Sequence, residues 1–307
     1  MLFRRLLLCL PAAALLTAAL PARAADPMPV VASFSILGDL VRQIAGPDAA
    51  VKTLVGPDGD AHVYQPSPTD AKAVAEAKLI FMNGLGFEGW MSRLLKSSGT
   101  KGKAITVTQG VKPRSAAAEG HNHSQSGHDH GNVDPHAWQD VGNVRVMVAN
   151  IAQALTDADP AHAEGYKARA ATYQAALEKL DAEIKTQIGA LTVVQRRVIT
   201  SHDAFGYYGK AYGVSFRAPQ GMNTDSEASA KDVARLISQI RKEKIRAVFV
   251  ENISDPRLTQ QLAKEAGAVI GGALYSDALS PADGLAATYL DLMRYNTKTL
   301  VTGMMQN

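Results

Sequence analysis

Residues 159–189 read DPAHAEGYKARAATYQAALEKLDAEIKTQIG. Asp159 suits a helix cap and Pro160 suits the first turn, where its missing N–H costs nothing. Tyr166, Tyr173, Leu177, Leu180, Ile184 and Ile188 then return every three or four residues, and the spacing predicts one long helix from about Pro160 to Gly189. Before it, β-branched runs at Val30–Ile36, Val51–Val55, Leu79–Met82 and Ala104–Val107 alternate with stretches of helical length. Residues 110–133 break that pattern and form a loop, after which Val144, Met147, Ile151 and Leu155 mark another helix. Beyond the long helix a second series begins, with strands expected at Arg197–Thr200, Ala247–Val250 and Ala268–Leu274 and helices around Ala228–Lys242 and Ala282–Thr299. Alternation of this kind is the mark of an α/β fold. The expected architecture is two α/β lobes, 25–158 and 191–307, joined by a linker helix over 159–190 that is stiffer than a Gly/Ser linker.

The composition supports a folded chain: 46% of the 307 residues are hydrophobic and 20% are charged. Lys and Arg number 32 against 29 acids, but Arg4, Arg5 and Arg23 lie in the first 24 residues, which hold no acid. The remainder balances at 29 against 29, which excludes the basic footprint of a nucleic-acid-binding protein. Residues 1–24, MLFRRLLLCLPAAALLTAALPARA, have a charged start, an apolar middle and a small-x-small end at Ala22-Arg23-Ala24, the pattern of a cleavable signal peptide. As a membrane anchor, the apolar run Leu6–Leu20 is short of the roughly 20 residues that a span requires. Cys9 is the only cysteine, and it sits inside the apolar stretch, too early to serve as a lipidation site. The expected mature chain is therefore exported to the periplasm without thiols, and any site for a soft metal has to use His and carboxylates.

The histidines are placed accordingly. His62 lies in GPDGDAHVYQPSPTD after the strand Val51–Val55, and His136 lies in VDPHAWQD just before a helix. His202 follows the strand ending at Thr200, in ITSHDAFGYYGKAYG, and Asp277 follows the run Ala268–Leu274, in GALYSDALS. All four sit at the ends of elements, two from each half of the chain, and ligands in α/β folds collect outside the carboxyl ends of strands. Three imidazoles and a carboxylate complete a tetrahedral set for zinc, although manganese or iron could also use them. His162, in the first turn of the long helix beside polar residues, reads as a solvated side chain.

The segments GDAHVYQPSP, VDPHAWQD, TSHDAFGYYGKAYG, VFVEN and LYSDALS together resemble the ZnuA/TroA-like periplasmic metal-binding proteins of ABC importers, over essentially the whole mature chain. The resemblance implies two four-stranded (β/α) lobes with parallel-rich sheets, bridged by a rigid helix, with the metal in the interlobe cleft. It carries the ligand roles to His62, His136, His202 and Asp277. His rather than Glu at the third position, followed by Asp203-Ala204-Phe205, points to Zn2+. The implied partners are a membrane permease with its cytoplasmic ATPase and, as a further candidate, a zinc metallochaperone, with the protein itself a monomer.

The loop EGHNHSQSGHDHGN carries two His-x-His pairs, His121/His123 and His128/His130, a second and weaker candidate metal site within 119–131. Asp60, Asp134 and Asp203 each lie within two residues of a candidate ligand and could orient an imidazole, or could be turn residues; Glu251 could serve as a supporting acid or a cleft wall. Trp138 and Tyr207 read as core or site-wall aromatics. A zinc hydrolase would need an open coordination position and a general base, and the chain has no His-Glu-x-x-His helix, Gly-x-Ser-x-Gly elbow or Gly-rich phosphate loop. The expectation is a carrier rather than an enzyme, with a manganese or iron carrier, a zinc-binding adhesin and a periplasmic zinc buffer as alternatives.

Overall fold

The computed structural model describes residues 26–115 and 133–307. The leader 1–24 and the His-rich segment with His121, His123, His128 and His130 lie outside the described residues.

The first lobe runs β1 (Met28–Phe34), α1 (Ser35–Ala45), β2 (Ala49–Val55), α2 (Pro68–Glu76), β3 (Leu79–Met82), α3 (Met91–Ser98), β4 (Lys103–Thr106) and α4 (Val141–Ala158). Its strands pair in parallel in the order β2-β1-β3-β4. α5 (Ala163–Gly189) follows, and then β5 (Arg197–Ile199), α6 (Gly206–Tyr212), β6 (Ser215–Arg217), α7 (Ala230–Glu243), β7 (Ala247–Glu251), α8 (Pro256–Ala266), β8 (Val269–Leu274) and α9 (Tyr289–Met304). The second sheet, also parallel, has the matching order β6-β5-β7-β8. In each sheet the order reverses beside the first strand, which opens a crevice at the carboxyl ends. The expected α/β fold of two parallel-sheet lobes is the one observed.

The boundaries differ from the sequence reading where one apolar run serves two elements. Val30–Ile36 reads as a single strand, but the chain turns into α1 at Ser35, and Ile36, Leu37, Leu40, Val41 and Ile44 are buried at helical spacing. The period changes to three or four at Ser35, and neither Ser33 nor Ser35 is a turn former strong enough to announce it. The last helix begins at Tyr289 rather than Ala282. Thr288 is its N-cap and accepts a hydrogen bond from the Asp291 N–H (3.2 Å), while Pro281 and Gly284 keep the preceding residues in turns. Pro160–His162 form one 3-10 turn ahead of α5.

α5 buries Tyr166, Ala170, Tyr173, Leu177, Leu180, Ile184 and Ile188 along one face, packed on α1 and α4 of the first lobe and on α9 of the second. Arg169 pins its first half, donating to the carbonyls of Ile44 (2.7 Å) and Ala45 (2.8 Å) and to Asp48 (2.6 Å). Its second half meets the other lobe where Tyr212 donates to Asp181 (3.1 Å) and Arg294 to Glu183 (3.1 Å). One hydrophobic core runs from Met28 to Met304 through both lobes, while a separate cluster around Ile199, Ile240, Val248 and Leu262 fills the far side of the second lobe. Behind the site they are also stitched by polar contacts. Trp138 Nε1 and Gln139 Nε2 both donate to the Ser276 carbonyl (2.9 and 2.8 Å), Tyr289 donates through its hydroxyl to the Trp138 carbonyl (2.8 Å), and the Leu279 N–H donates to Ser35 Oγ (3.0 Å).

The strut is therefore expected to be a stability element. Leu180→Ala, at a fully buried position, should cost about 2–5 kcal/mol in urea unfolding. Lys179→Ala, one residue away with its side chain 77% exposed, should stay within about 0.5 kcal/mol; equal losses from the two would show that the buried face does not carry the helix.

Candidate metal centre

The loops that follow β2, β4, β5 and β8 bring His62, His136, His202 and Asp277 together between the lobes. One nitrogen or oxygen from each lies within 4.8 Å of all the others. Asp277 Oδ2 is 3.1 Å from His62 Nε2, 3.2 Å from His202 Nε2 and 3.7 Å from His136 Nε2, and the two Nε2 atoms of His62 and His136 are 3.3 Å apart. Metal–ligand bonds of 2.0–2.2 Å in a tetrahedron put neighbouring donors about 3.4 Å apart, so these spacings fit a zinc-sized ion. His136, His202 and Asp277 are fully buried, while His62 is half-buried as a residue.

Two of the rings are held from behind by acids. His136 Nδ1 lies 2.8 Å from Asp134 Oδ1, and the same oxygen accepts the His136 backbone N–H (3.0 Å). Asp134 is fixed in turn by Arg114, whose guanidinium donates to its other oxygen (2.8 Å), and its carbonyl accepts the Tyr207 hydroxyl (3.2 Å). Gly206 makes room for this pair, because a Cβ there would lie 2.0 Å from Arg114 Nη1. His202 Nδ1 lies 2.5 Å from Glu251 Oε2, while Glu251 Oε1 accepts the N–H groups of Ser201 (2.7 Å) and His202 (2.9 Å). An Nδ1 proton directed at a carboxylate leaves the Nε2 lone pair aimed at the centre. Asp277 Oδ1, buried, has no hydrogen-bond partner. Such a set of convergent lone pairs calls for a cation, either a metal ion or protons.

Without an ion the site keeps protons. Burial pulls His136 down, but the carboxylates of Asp277 and Asp134 outweigh it and push its pKa up to about 9. His202, opposed by burial in the same way, is lifted well above the usual imidazole range by Glu251 and Asp277. Burial would raise Asp277, yet His202 and His136 hold it well below the carboxylate range. His62 goes the other way: burial lowers it, only partly offset by Asp277, and the two neighbouring imidazoles lower it further.

Among the other residues singled out in the sequence, Asp134 and Glu251 contact rings as described. Asp60 does not reach the imidazole; its Oδ1 accepts the His62 backbone N–H (2.9 Å) and its Oδ2 accepts the Thr224 hydroxyl (2.6 Å). The Asp203 backbone N–H donates to the Gly221 carbonyl (3.3 Å), and the acid that meets His202 Nδ1 is Glu251. Trp138 packs with its ring centre 5.4 Å from that of His136. His162 is a surface residue bonded to Asp159 (2.7 Å), apart from the cluster. Sequence reasoning missed Arg114, Thr224 and Phe87, whose ring stacks edge-on against His62 at 4.7 Å. None of them carries a local signature, since each matters only through a partner distant in the chain.

The family model for ZnuA, the periplasmic component A of a zinc-uptake complex, matches residues 30–303. The chain belongs to this family. The iron-binding protein YfeA of Yersinia pestis is 33% identical over 286 residues, covering 93% of this chain and 89% of that protein. The periplasmic zinc-binding protein TroA of Treponema pallidum superposes with a TM-score of 0.81 at 29% identity, covering 91% of this chain and 99% of the other. A manganese-bound periplasmic metal-binding protein of Candidatus Liberibacter asiaticus gives a TM-score of 0.79 at 31% identity, with 90% and 98% covered. The ZnuA family thus accounts for both lobes and the helix between them, and its members are metal-binding substrate-binding proteins with differing cargo.

The raised pKa of His136 has a definite consequence for the ion-free protein. Its contribution to stability is complete below about pH 6.5, the ordinary imidazole value, and is lost as pH climbs to about 9. The Tm of metal-free protein should therefore fall across that interval, and His136→Gln should flatten the slope. A slope that His136→Gln leaves unchanged would mean that this imidazolium does not stabilise the fold.

Proposed function

We propose that the protein is a periplasmic solute-binding protein that captures Zn(II) in the interlobe cleft and delivers it to the permease of an ABC importer powered by a cytoplasmic ATPase. In this reading residues 1–24 are removed on export, lobes 25–158 and 191–307 flank the helical linker 159–190, and the mature monomer works in the periplasm. The ion is held by His62 Nε2, His136 Nε2, His202 Nε2 and the Asp277 carboxylate. The observation that carries this is the convergence of these four donors at spacings near those of a zinc tetrahedron, with two of the imidazoles already turned by Asp134 and Glu251. Four protein donors fill a tetrahedral shell and leave no position for a reactive water, which favours a carrier over a zinc hydrolase.

One observation favours a second cargo. The buried Oδ1 of Asp277 lacks a partner, so the carboxylate could bind through both oxygens and raise the coordination number, as manganese or iron would prefer. Relatives named for iron and manganese lend this reading support. The His-rich segment 119–131 would be a weaker, faster-exchanging zinc site that supplies the cleft, and a zinc metallochaperone would be a further source.

Elemental analysis of protein purified without added metal, followed by competition between zinc and manganese, separates the two cargoes; zinc should dominate. His136→Ala and His202→Ala should each abolish tight zinc binding, while deletion of 119–131 leaves the cleft affinity intact. Equal losses from all three changes would move the main site to the loop.

Because the metal must displace the site's protons, zinc affinity should rise with pH up to about 9, where His136 loses its proton. Calorimetry in buffers of different ionisation enthalpy should register proton release at pH 7. An affinity independent of pH would exclude imidazole ligation.

A further inference from the structure

The two sides of the centre are closed by different means. Behind it, the segment 276–289 is bonded into the first lobe through Trp138, Gln139, Ser35 and Asp39. In front, His62 rides on residues 56–67, which contain no regular element. Asp58 takes a left-handed turn there (φ 53°), and the segment is held by its partners. His62 is also the least anchored of the four proposed ligands. Among the described residues, no acid lies behind its Nδ1, whereas Asp134 bonds the Nδ1 of His136 (2.8 Å) and a Glu251 oxygen lies 2.5 Å from that of His202.

Besides the direct contact of its Nε2 with Asp277 (3.1 Å), His62 is fixed from the opposite lobe by a relay through Asp60. Thr224 Oγ1 donates to Asp60 Oδ2 (2.6 Å), and Asp60 Oδ1 accepts the His62 backbone N–H (2.9 Å). Thr224 is itself braced, because Gln220 Nε2 donates to the carbonyls of Thr224 (3.1 Å) and Ser226 (2.8 Å). Gln220 forms a β-bridge with His202, and the neighbouring Gly221 carbonyl accepts the Asp203 N–H (3.3 Å). A chain of hydrogen bonds thus runs from the His202 segment through Thr224 and Asp60 to His62, closing the solvent side of the centre. A second strand of the same closure joins Asn252 Nδ2 to Asp58 Oδ1 (2.8 Å).

We propose that Thr224 is a positioning residue that sets how fast the bound divalent cation leaves, by holding His62 in place through Asp60, and that His62 is the first ligand to depart. The proposal rests on the ligand set given above. A hydroxyl donating to a charged carboxylate is among the stronger side-chain hydrogen bonds, and its loss frees the loop without touching a metal ligand.

The test is stopped-flow release of Zn(II) from the full chain into excess chelator. Thr224→Val, which replaces the hydroxyl with a methyl group, should speed release about tenfold, equivalent to about 1.4 kcal/mol, and Thr224→Ser should restore the original rate. Pairing Thr224→Val with Asp60→Asn should add little to either single change, as expected for one shared contact. Any fall in the Tm of metal-free Thr224→Val should be recovered together with the release rate in Thr224→Ser, while a substitution remote from residues 56–67 that lowers Tm equally should leave release unchanged, which separates positioning from general loosening. Release of Thr224→Val at the unaltered rate would overturn the proposal. His62→Ala should retain weakened binding with accelerated release, whereas His202→Ala loses binding; identical losses would refute the order of departure. A parent protein that fails to bind zinc in the cleft would refute the ligand set itself, a distinct outcome.

Discussion

The organising constraint is electrostatic: the Nε2 lone pairs of His136 and His202 and the carboxylate of Asp277 face one point from which water is excluded. Lone pairs at 3.2–3.7 Å repel unless a cation lies among them, and burial removes the solvent that would otherwise screen them. In the ion-free state protons supply that positive charge, which is why the two imidazoles are shifted upward and Asp277 downward. A divalent ion in the same place would satisfy all four donors at once. The acids behind the rings make this a prepared site: with Asp134 and Glu251 facing the Nδ1 atoms, it is the Nε2 protons that an arriving ion displaces.

The fold serves that constraint by delivering side chains on short loops at the carboxyl ends of two parallel sheets. Repeating the strand order in both lobes sets two crevices facing each other, so donors from four separate loops can meet. α5 then limits how far the lobes can part. It is buried along one face against helices of both lobes, and it belongs to a hydrophobic core that continues from one into the other. A wide hinge swing would break that core, whereas rearrangement of the 56–67 loop breaks a smaller set of contacts: the polar bonds of Asp58 and Asp60, the Trp90 bond to the Ala61 carbonyl, and the packing of Ala61, His62 and Tyr64. The geometry therefore favours cargo exchange by a local change at His62 over separation of the lobes.

Much of this was legible from residue patterns. The spacing of Tyr166 through Ile188 announced the strut, and the placing of His62, His136, His202 and Asp277 at element ends marked the candidate centre. The errors fell where the chain switches period inside an apolar run, as at Ser35, or where an element is only three residues long, as with β6. Asp60 shows the limit of proximity in sequence: two residues from a histidine, it braces the backbone rather than the ring. Thr224, 164 residues away, supplies the other half of that contact and has nothing in its neighbourhood to mark it.

Taken alone, the chain determines the residue types available for ligation and the alternation of elements that puts them at strand ends. Both follow from local properties: side-chain chemistry and hydrophobic period. Tertiary structure decided which acid backs which imidazole, which oxygen of Asp277 points inward, and how the solvent side is closed. Those depend on distances of a few ångströms between segments far apart in the chain, and they are set by the packing of two lobes on one core.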